Sequence, residues 1–274
     1  MRNRVTLVSL LAGIALAVSA MQLHAQAREE GHLLMATQIL EELSATPDTF
    51  IPQRLLDRAY AIAVVPDVTK VAFIAGGRRG TGVMVVRDKN GHFSNPVFVA
   101  LTGGSIGWQA GVQSTDIVLV FTTRAGVEGI TGGKVTLGAD ASVAAGPVGR
   151  QASVATDANF TAEVYSYSRN RGLFAGIALD GSVLSIDRGA NAEFYKKPGV
   201  TATEIMDGAV TTTDNTAQRF LTAISTSTGG NTTAASAPMA GASAPAAPAA
   251  PPPAPAGGAQ SFPMADPQPG KDPK

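Results

Sequence analysis

The chain has no cysteine and only three histidines, and each shortage removes a class of chemistry. Without cysteine there is no disulfide, no thiolate nucleophile and no thiol to carry a lipid anchor, so stability must come from the apolar core alone. The histidines stand at 24, 32 and 92, and none follows Ser105. This matters because Gly103-Gly104-Ser105-Ile106-Gly107 matches the Gly-x-Ser-x-Gly elbow of hydrolases, whose triad histidine comes after the serine. Gly107 and Gly111 also break the helix such an elbow needs, so serine hydrolysis is excluded. Gly132-Gly133-Lys134 lacks the P-loop framing, with Glu128 where a glycine is required and Val135 where Ser or Thr is. The glycine runs nowhere give the dinucleotide order Gly-x-Gly-x-x-Gly, and Asp140, Asp157, Asp180 and Asp187 lack a calcium-loop spacing. No metal, no cofactor and no catalytic set is expected.

Charge is sparse and balanced, 21 basic against 21 acidic residues. Met1-Arg-Asn-Arg4, the apolar run Val5–Ala20 and the small residues Ala25-Gln-Ala27 read as a secretory signal peptide spanning 1–27. Its removal takes Arg2 and Arg4 and no acid, leaving 19 bases against 21 acids. A mildly acidic mature chain has no global attraction for nucleic acid, and only a local basic cluster could draw it to an anionic membrane.

Past the signal, Leu33, Ala36, Ile39, Leu40 and Leu43 recur at helical spacing, with Glu29, Glu30, Glu41 and Glu42 on other faces. Membrane-surface helices carry Lys and Arg on the polar face, so this acidic one is expected to pack on its own domain. Pro52 opens a second helical pattern through Leu55, Leu56, Ala59, Ile62 and Ala63, ending before Pro66.

The period then changes. Val71–Ala75, Gly82–Val86, Val97–Leu101, Ile117–Phe121, Ala162–Tyr167, Leu173–Leu179 and Val183–Ile186 are short strand-like runs, with hairpin turns at Asp88-Lys-Asn-Gly91 and Asp180-Gly181. Asp214–Ile224 closes with a short helix. The fold class is therefore α+β: N-terminal helices, then a mainly antiparallel β-sheet in one domain over 28–228. From 229 to 274 the chain is Ser, Thr, Gly, Ala and Pro with almost nothing to bury, a tail expected to be disordered.

The run Leu137–Arg150 is made almost entirely of small residues, which suit close backbone approach. Taken with Gly76-Gly-Arg-Arg-Gly-Thr-Gly82, Phe93-Ser-Asn-Pro96, Gly103–Gly111 and Tyr165-Ser-Tyr-Ser-Arg-Asn-Arg-Gly172, it resembles the SYLF domain, a lipid-binding family. The resemblance is strongest over 52–195. It departs at Phe93, where the family commonly has Trp, and this chain shows no SH3 or zinc-finger segment.

Basic residues flank the expected strands: Lys70, Arg78 and Arg79, then Arg87 and Lys89, then Arg169 and Arg171. They read either as solvated turn charges or, given the resemblance, as a lipid-headgroup patch with Trp108 as an interfacial anchor or a core residue. The signal peptide implies export to the periplasm and the lack of a catalytic set a non-enzymatic protein, while the resemblance implies peripheral binding to anionic phospholipid. The alternative is an interaction module for an envelope or host protein, actin-binding by family analogy.

Overall fold

The computed structural model describes residues 26–44, 51–72, 75–106, 111–148, 161–170 and 173–229. The signal peptide's apolar run, Trp108, Arg171 and the segment 230–274 lie outside them. The chain runs through α1 (residues 26–44), α2 (Gln53–Asp57), β1 (Ala61–Ala72), β2 (Ala75–Val86), β3 (Val97–Ile106) and β4 (Gly111–Phe121). It continues with α3 (Ala125–Thr131), β5 (Lys134–Thr136), β6 (Val143–Ala145), β7 (Val164–Asn170), β8 (Leu173–Gly176) and β9 (Val183–Ile186). Helices α4 (Arg188–Phe194), α5 (Ala202–Met206) and α6 (Asn215–Ser227) close it.

These strands form one sheet in the order β5-β9-β3-β2-β1-β4-β7-β6, with β8 also on β7. All pairings are antiparallel except β6 with β7, so the expected α+β class holds. Both faces are covered. One face packs Ile62, Val64, Val83, Val85, Phe98, Val118 and Val120 under apolar residues of α1, α2, α4 and α6. The other packs Ala61, Ala63, Val65, Met84, Leu101, Leu119 and Phe121 under Val127 and Ile130 of α3 and the loop residues Leu137, Ala141 and Leu179.

Double coverage explains a misreading. Ala61-Ile-Ala-Val-Val65 is buried at every position, the pattern of a central strand rather than a one-sided helix. The second helix therefore stops at Asp57, and β1 starts at Ala61, where the sequence pattern predicts helix through Ala63. Pro66 interrupts β1 at a bulge between Val65 and Val68, and Asp67 takes a positive φ of 49°. The bulge pushes β1 toward β2, so a Cβ on Gly80 would sit 2.7 Å from Val68 Cγ2, and one on Gly82 would strike the Val64 carbonyl. Gly80 and Gly82 are thus strand residues fitted to a bulge.

Helix α1 packs as its pattern predicts, with Leu33, Ala36, Ile39, Leu40 and Leu43 all buried. Four of these are large, and burying them contributes roughly 6–12 kcal/mol, which insertion into a membrane would first have to offset. Glu29 departs from the expected exposed polar face: it is fully buried, with Arg28 paired to it at 2.9 Å. Three short helices, α3, α4 and α5, were not legible as periodic runs. Helix α4 places Asn191 against β3, where its amide accepts from Phe98 N at 2.9 Å and donates to Phe98 O at 2.9 Å. A side chain here completes the backbone bonding that a neighbouring strand would otherwise supply.

Candidate functional site

Beyond the bulge the four central strands outrun their covering layers. Here β1 contributes Thr69–Ala72, β2 Ala75–Arg79, β3 Thr102–Ile106 and β4 Gly111–Thr115. Antiparallel registry brings these segments to one end of the sheet, with Lys70 opposite both Arg78 and Gln113, and Arg78 opposite Gly103. Neighbours β9 and β7 pair only with Val99–Thr102 and Asp116–Phe121, so among the described residues the outer edges of this end are unpaired. The charged residues of these four segments are Lys70, Arg78 and Arg79, with no acid among them. Val71, 52% exposed, adds an apolar side chain.

Alternation along β2 separates the two arginines. Directly opposed residues share a face, and Arg78 lies in register with Lys70, on the side that lower down carries Val68 and Leu101. Arg79 pairs with Thr69 and Thr102 on the opposite face and is exposed. The sequence reading treats this pair as one turn-borne cluster. They are mid-strand residues instead, able to act on one surface only if it approaches the end of the sheet. Arg78 is half-buried, its Nε is out of solvent without a hydrogen-bond partner among the described residues, and burial pushes its guanidinium below the usual value.

The other basic residues are elsewhere. Arg87 lies nine residues further along β2, about 30 Å away at ~3.3 Å per residue. It is clamped: Nη1 donates to Asp57 O at 2.9 Å, and its guanidinium lies 4.7 Å from the centre of the Phe93 ring. Phe93 occupies the position where the resembled family commonly has Trp, and it serves as that stacking platform. Lys89 sits in the adjoining turn, where Asp88 accepts from Asn90 N and His92 N and Gly91 takes φ 87°. Both line a cleft of about 540 Å³ floored by Tyr60, Val127 and Met206, whose rim also carries Arg124, Glu128 and Asp207. Those mixed charges cancel rather than select an anion.

Arg169 is a structural residue. It sits on β7, pairs with Asp116 at 2.6 Å and also with Glu42 of α1, and its side chain is 14% exposed. Burial opposes its charge, but the two carboxylates more than compensate and raise its pKa. It is not a free cation at a turn. A second cleft, about 910 Å³ between α1 and α6, is lined by Glu41, Ser44, Gln218, Arg219 and Thr222 and is polar without a dominant charge. Among the described residues no group of three or more His, Asp or Glu could hold a metal ion.

Residues 102–227, from the upper part of β3 to the end of α6, match a family model described as Ysc84, Las17-binding protein actin regulator. The chain is 38% identical over 166 residues to LAS seventeen-binding protein 3 of Saccharomyces cerevisiae, covering 60% of this chain and 36% of that protein. It is 39% identical over 151 residues to Protein YSC84 of the same yeast, covering 54% and 32% respectively. Against SH3 domain-containing YSC84-like protein 1 of Xenopus laevis it is 33% identical over 181 residues, covering 64% and 54%. The chain thus spans between about a third and about half of the length of these relatives. Through this shared region the chain is similar to the Ysc84, or SYLF-domain, family.

Proposed function

We propose that this is an exported, non-enzymatic protein that associates peripherally with anionic membrane lipid through the uncovered end of its sheet. The observation that carries the reading is the charge at that end: three cations, no acid and an exposed Val71 on a chain whose mature net charge is slightly negative. Net attraction is unavailable, so a local field must supply it, and this is where the described residues concentrate one. Export to the periplasm rests on the first 27 residues as a sequence. The absence of a catalytic role rests on the missing histidine and thiol chemistry, and the family description names a regulator rather than a catalyst.

The test is co-sedimentation of the Arg78→Ala/Arg79→Ala variant with phosphatidylglycerol-containing and neutral vesicles at low and high salt. Each basic residue near an anionic surface contributes about 1 kcal/mol, so the double variant should bind about tenfold to thirtyfold more weakly. Parent binding should fall with salt. Equal binding by variant and parent, or indifference to vesicle charge, removes the sheet end from the mechanism.

A second reading is favoured by the family match itself, whose description names a Las17-binding actin regulator. Under it the domain is a protein-interaction module, binding an envelope or host protein in place of Las17 or actin. Capture of one protein partner without vesicle affinity would put this reading ahead.

A further inference from the structure

We infer that the cleft of about 540 Å³ at the other end of the sheet is a docking site for an extended segment of a partner protein that carries one apolar side chain between a carboxylate and a cation. The inference rests on the protein-interaction reading only for what supplies the segment. The walls come from the end of β2 and the turn after it, from α3 and from the end of α5. Tyr60 at the base leads into β1, whose 12 residues run away from the cleft to Ala72 among the cations of the uncovered end. At ~3.3 Å per residue this places the two ends roughly 40 Å apart, so a ligand at one leaves the other open.

The floor is apolar and incompletely covered. Val127 is 3% exposed, while Tyr60 and Met206 are half-buried. A Leu-sized side chain laid on them removes apolar surface from water on both partners, and the cleft has the size of ordinary ligand pockets. Tyr60 adds a hydroxyl with no hydrogen-bond partner among the described residues, able to meet a backbone group of the incoming segment.

The rim decides what flanks that side chain. Most of its charges are already committed: Asp88 accepts from Asn90 N at 2.8 Å and His92 N at 2.9 Å, and Arg124 pairs with Glu128 at 3.3 Å. Arg87 is held by Asp57 O and the Phe93 ring, a carbonyl and an aromatic rather than a carboxylate. Lys89 and Asp207 are exposed, and their side chains bond to nothing among the described residues, each other included. One wall is therefore positive through Arg87 and Lys89, and the other is negative through Asp207. A ligand of a single sign gains at one wall and is repelled at the other, whereas a segment with both signs gains at both. Alternate side chains of an extended chain share a face, so the pattern acid-x-apolar-x-base presents all three groups to the cleft together.

The experiment titrates blocked pentapeptides into the full chain and follows backbone amide resonances, with acetyl-Glu-Gly-Leu-Gly-Lys-amide as the probe. At millimolar concentration it should shift the Lys89, Val127 and Asp207 amides. Replacing its Leu with Ala should weaken binding about tenfold, and peptides with Glu at both ends or Lys at both ends should bind about threefold more weakly, the reach of one exposed ion pair. Asp207→Lys reverses one wall at an exposed helix end and should prefer the Glu/Glu peptide to the mixed one, a change of ranking that a merely structural role for Asp207 does not produce. A mixed peptide that shifts nothing at the cleft, or an unchanged ranking in folded Asp207→Lys, overturns the site. Shifts of the same amides when the protein alone is concentrated would make a second copy the occupant and overturn the partner segment. If the mixed peptide binds as expected but the parent captures no protein, the cleft stands with a free peptide as its ligand and the protein-interaction reading falls. If one envelope protein is retained equally by parent and Asp207→Lys while no peptide shifts the cleft, the site falls and that reading survives.

Discussion

The ring of Tyr167 occupies the space where Gly146 would carry a side chain, so any Cβ at position 146 would collide with that ring. Gly176 in turn faces the Gly146 backbone, and Tyr167 OH donates to Pro147 O at 3.3 Å. Gly146 has no positive φ, so its role is close approach rather than unusual backbone geometry. Gly146→Val should therefore destabilise the domain by about 3 kcal/mol or more, because both a buried ring and a backbone must move. Tyr167→Phe, losing only the hydroxyl bond, should cost about 1 kcal/mol. Urea titration of both variants separates the two effects, and equal midpoints for parent and Gly146→Val would refute the packing role.

Asn191 is buried with both ends of its amide committed to Phe98, so Asn191→Ala strands the buried Phe98 N–H, while Phe98 O keeps its bond from Asp187 N at 3.0 Å. The expected loss is about 1–3 kcal/mol, read as a lower denaturation midpoint with an unchanged slope. Asn191→Asp retains the acceptor for Phe98 N but places a carboxylate against Phe98 O, and should destabilise as well.

Arg169 links Asp116, which also accepts Asp67 N at 3.0 Å, to Glu42 on α1. Arg169→Ala should cost about 1–3 kcal/mol through the carboxylates it leaves unpaired. Because its guanidinium is already occupied, the folded variant should bind anionic vesicles as the parent does. A selective loss of vesicle binding at unchanged stability would return Arg169 to the lipid-contacting set.

Acid stability has a defined direction at α5. Thr201 and Glu204 form a reciprocal cap, and Lys197 Nζ lies 2.8 Å from Glu204. The Lys197 hydrogen bond, followed by those from Thr201, lowers the Glu204 pKa to about 2. A carboxylate with a lower pKa in the folded state than in the unfolded state stabilises the fold at pH above its ordinary value of ~4.3. That contribution is lost as pH falls from there toward 2. The stability gap between the parent and Glu204→Gln should thus be constant near neutrality and close over this window, as followed by thermal melts at graded pH.

The one-sided patterns were the legible ones. Leu33 to Leu43 reads as helix because one face is apolar, and Asp88-Lys-Asn-Gly91 reads as a turn because its chemistry is local. Ala61–Val65 was illegible for the opposite reason: covered on both faces, it carries no period that separates strand from helix. Glycine misled in the same region. Gly80 and Gly82 lie within β2 against the part of β1 that bulges at Pro66, a tertiary cause invisible in β2 itself. At the site, sequence located Lys70, Arg78 and Arg79 but could not show that strand alternation divides the arginines. Arg87 and Arg169 were indistinguishable from free cations until Asp57, Phe93, Glu42 and Asp116 came into view.

The unpaired margins of β3 and β4 have a consequence for how these molecules behave toward one another. A sheet end with free margins is a template for other strands, and proteins guard such places with charge. Glycine and serine along Gly103–Ser105 offer no bulk to prevent stacking, which leaves Lys70, Arg78 and Arg79 as the described charges that keep two copies apart. Neutralising the arginines should therefore lower colloidal stability, and an anionic surface that screens them would draw copies together as it binds them. Crowding at such a surface would then follow from the same three charges that reach it.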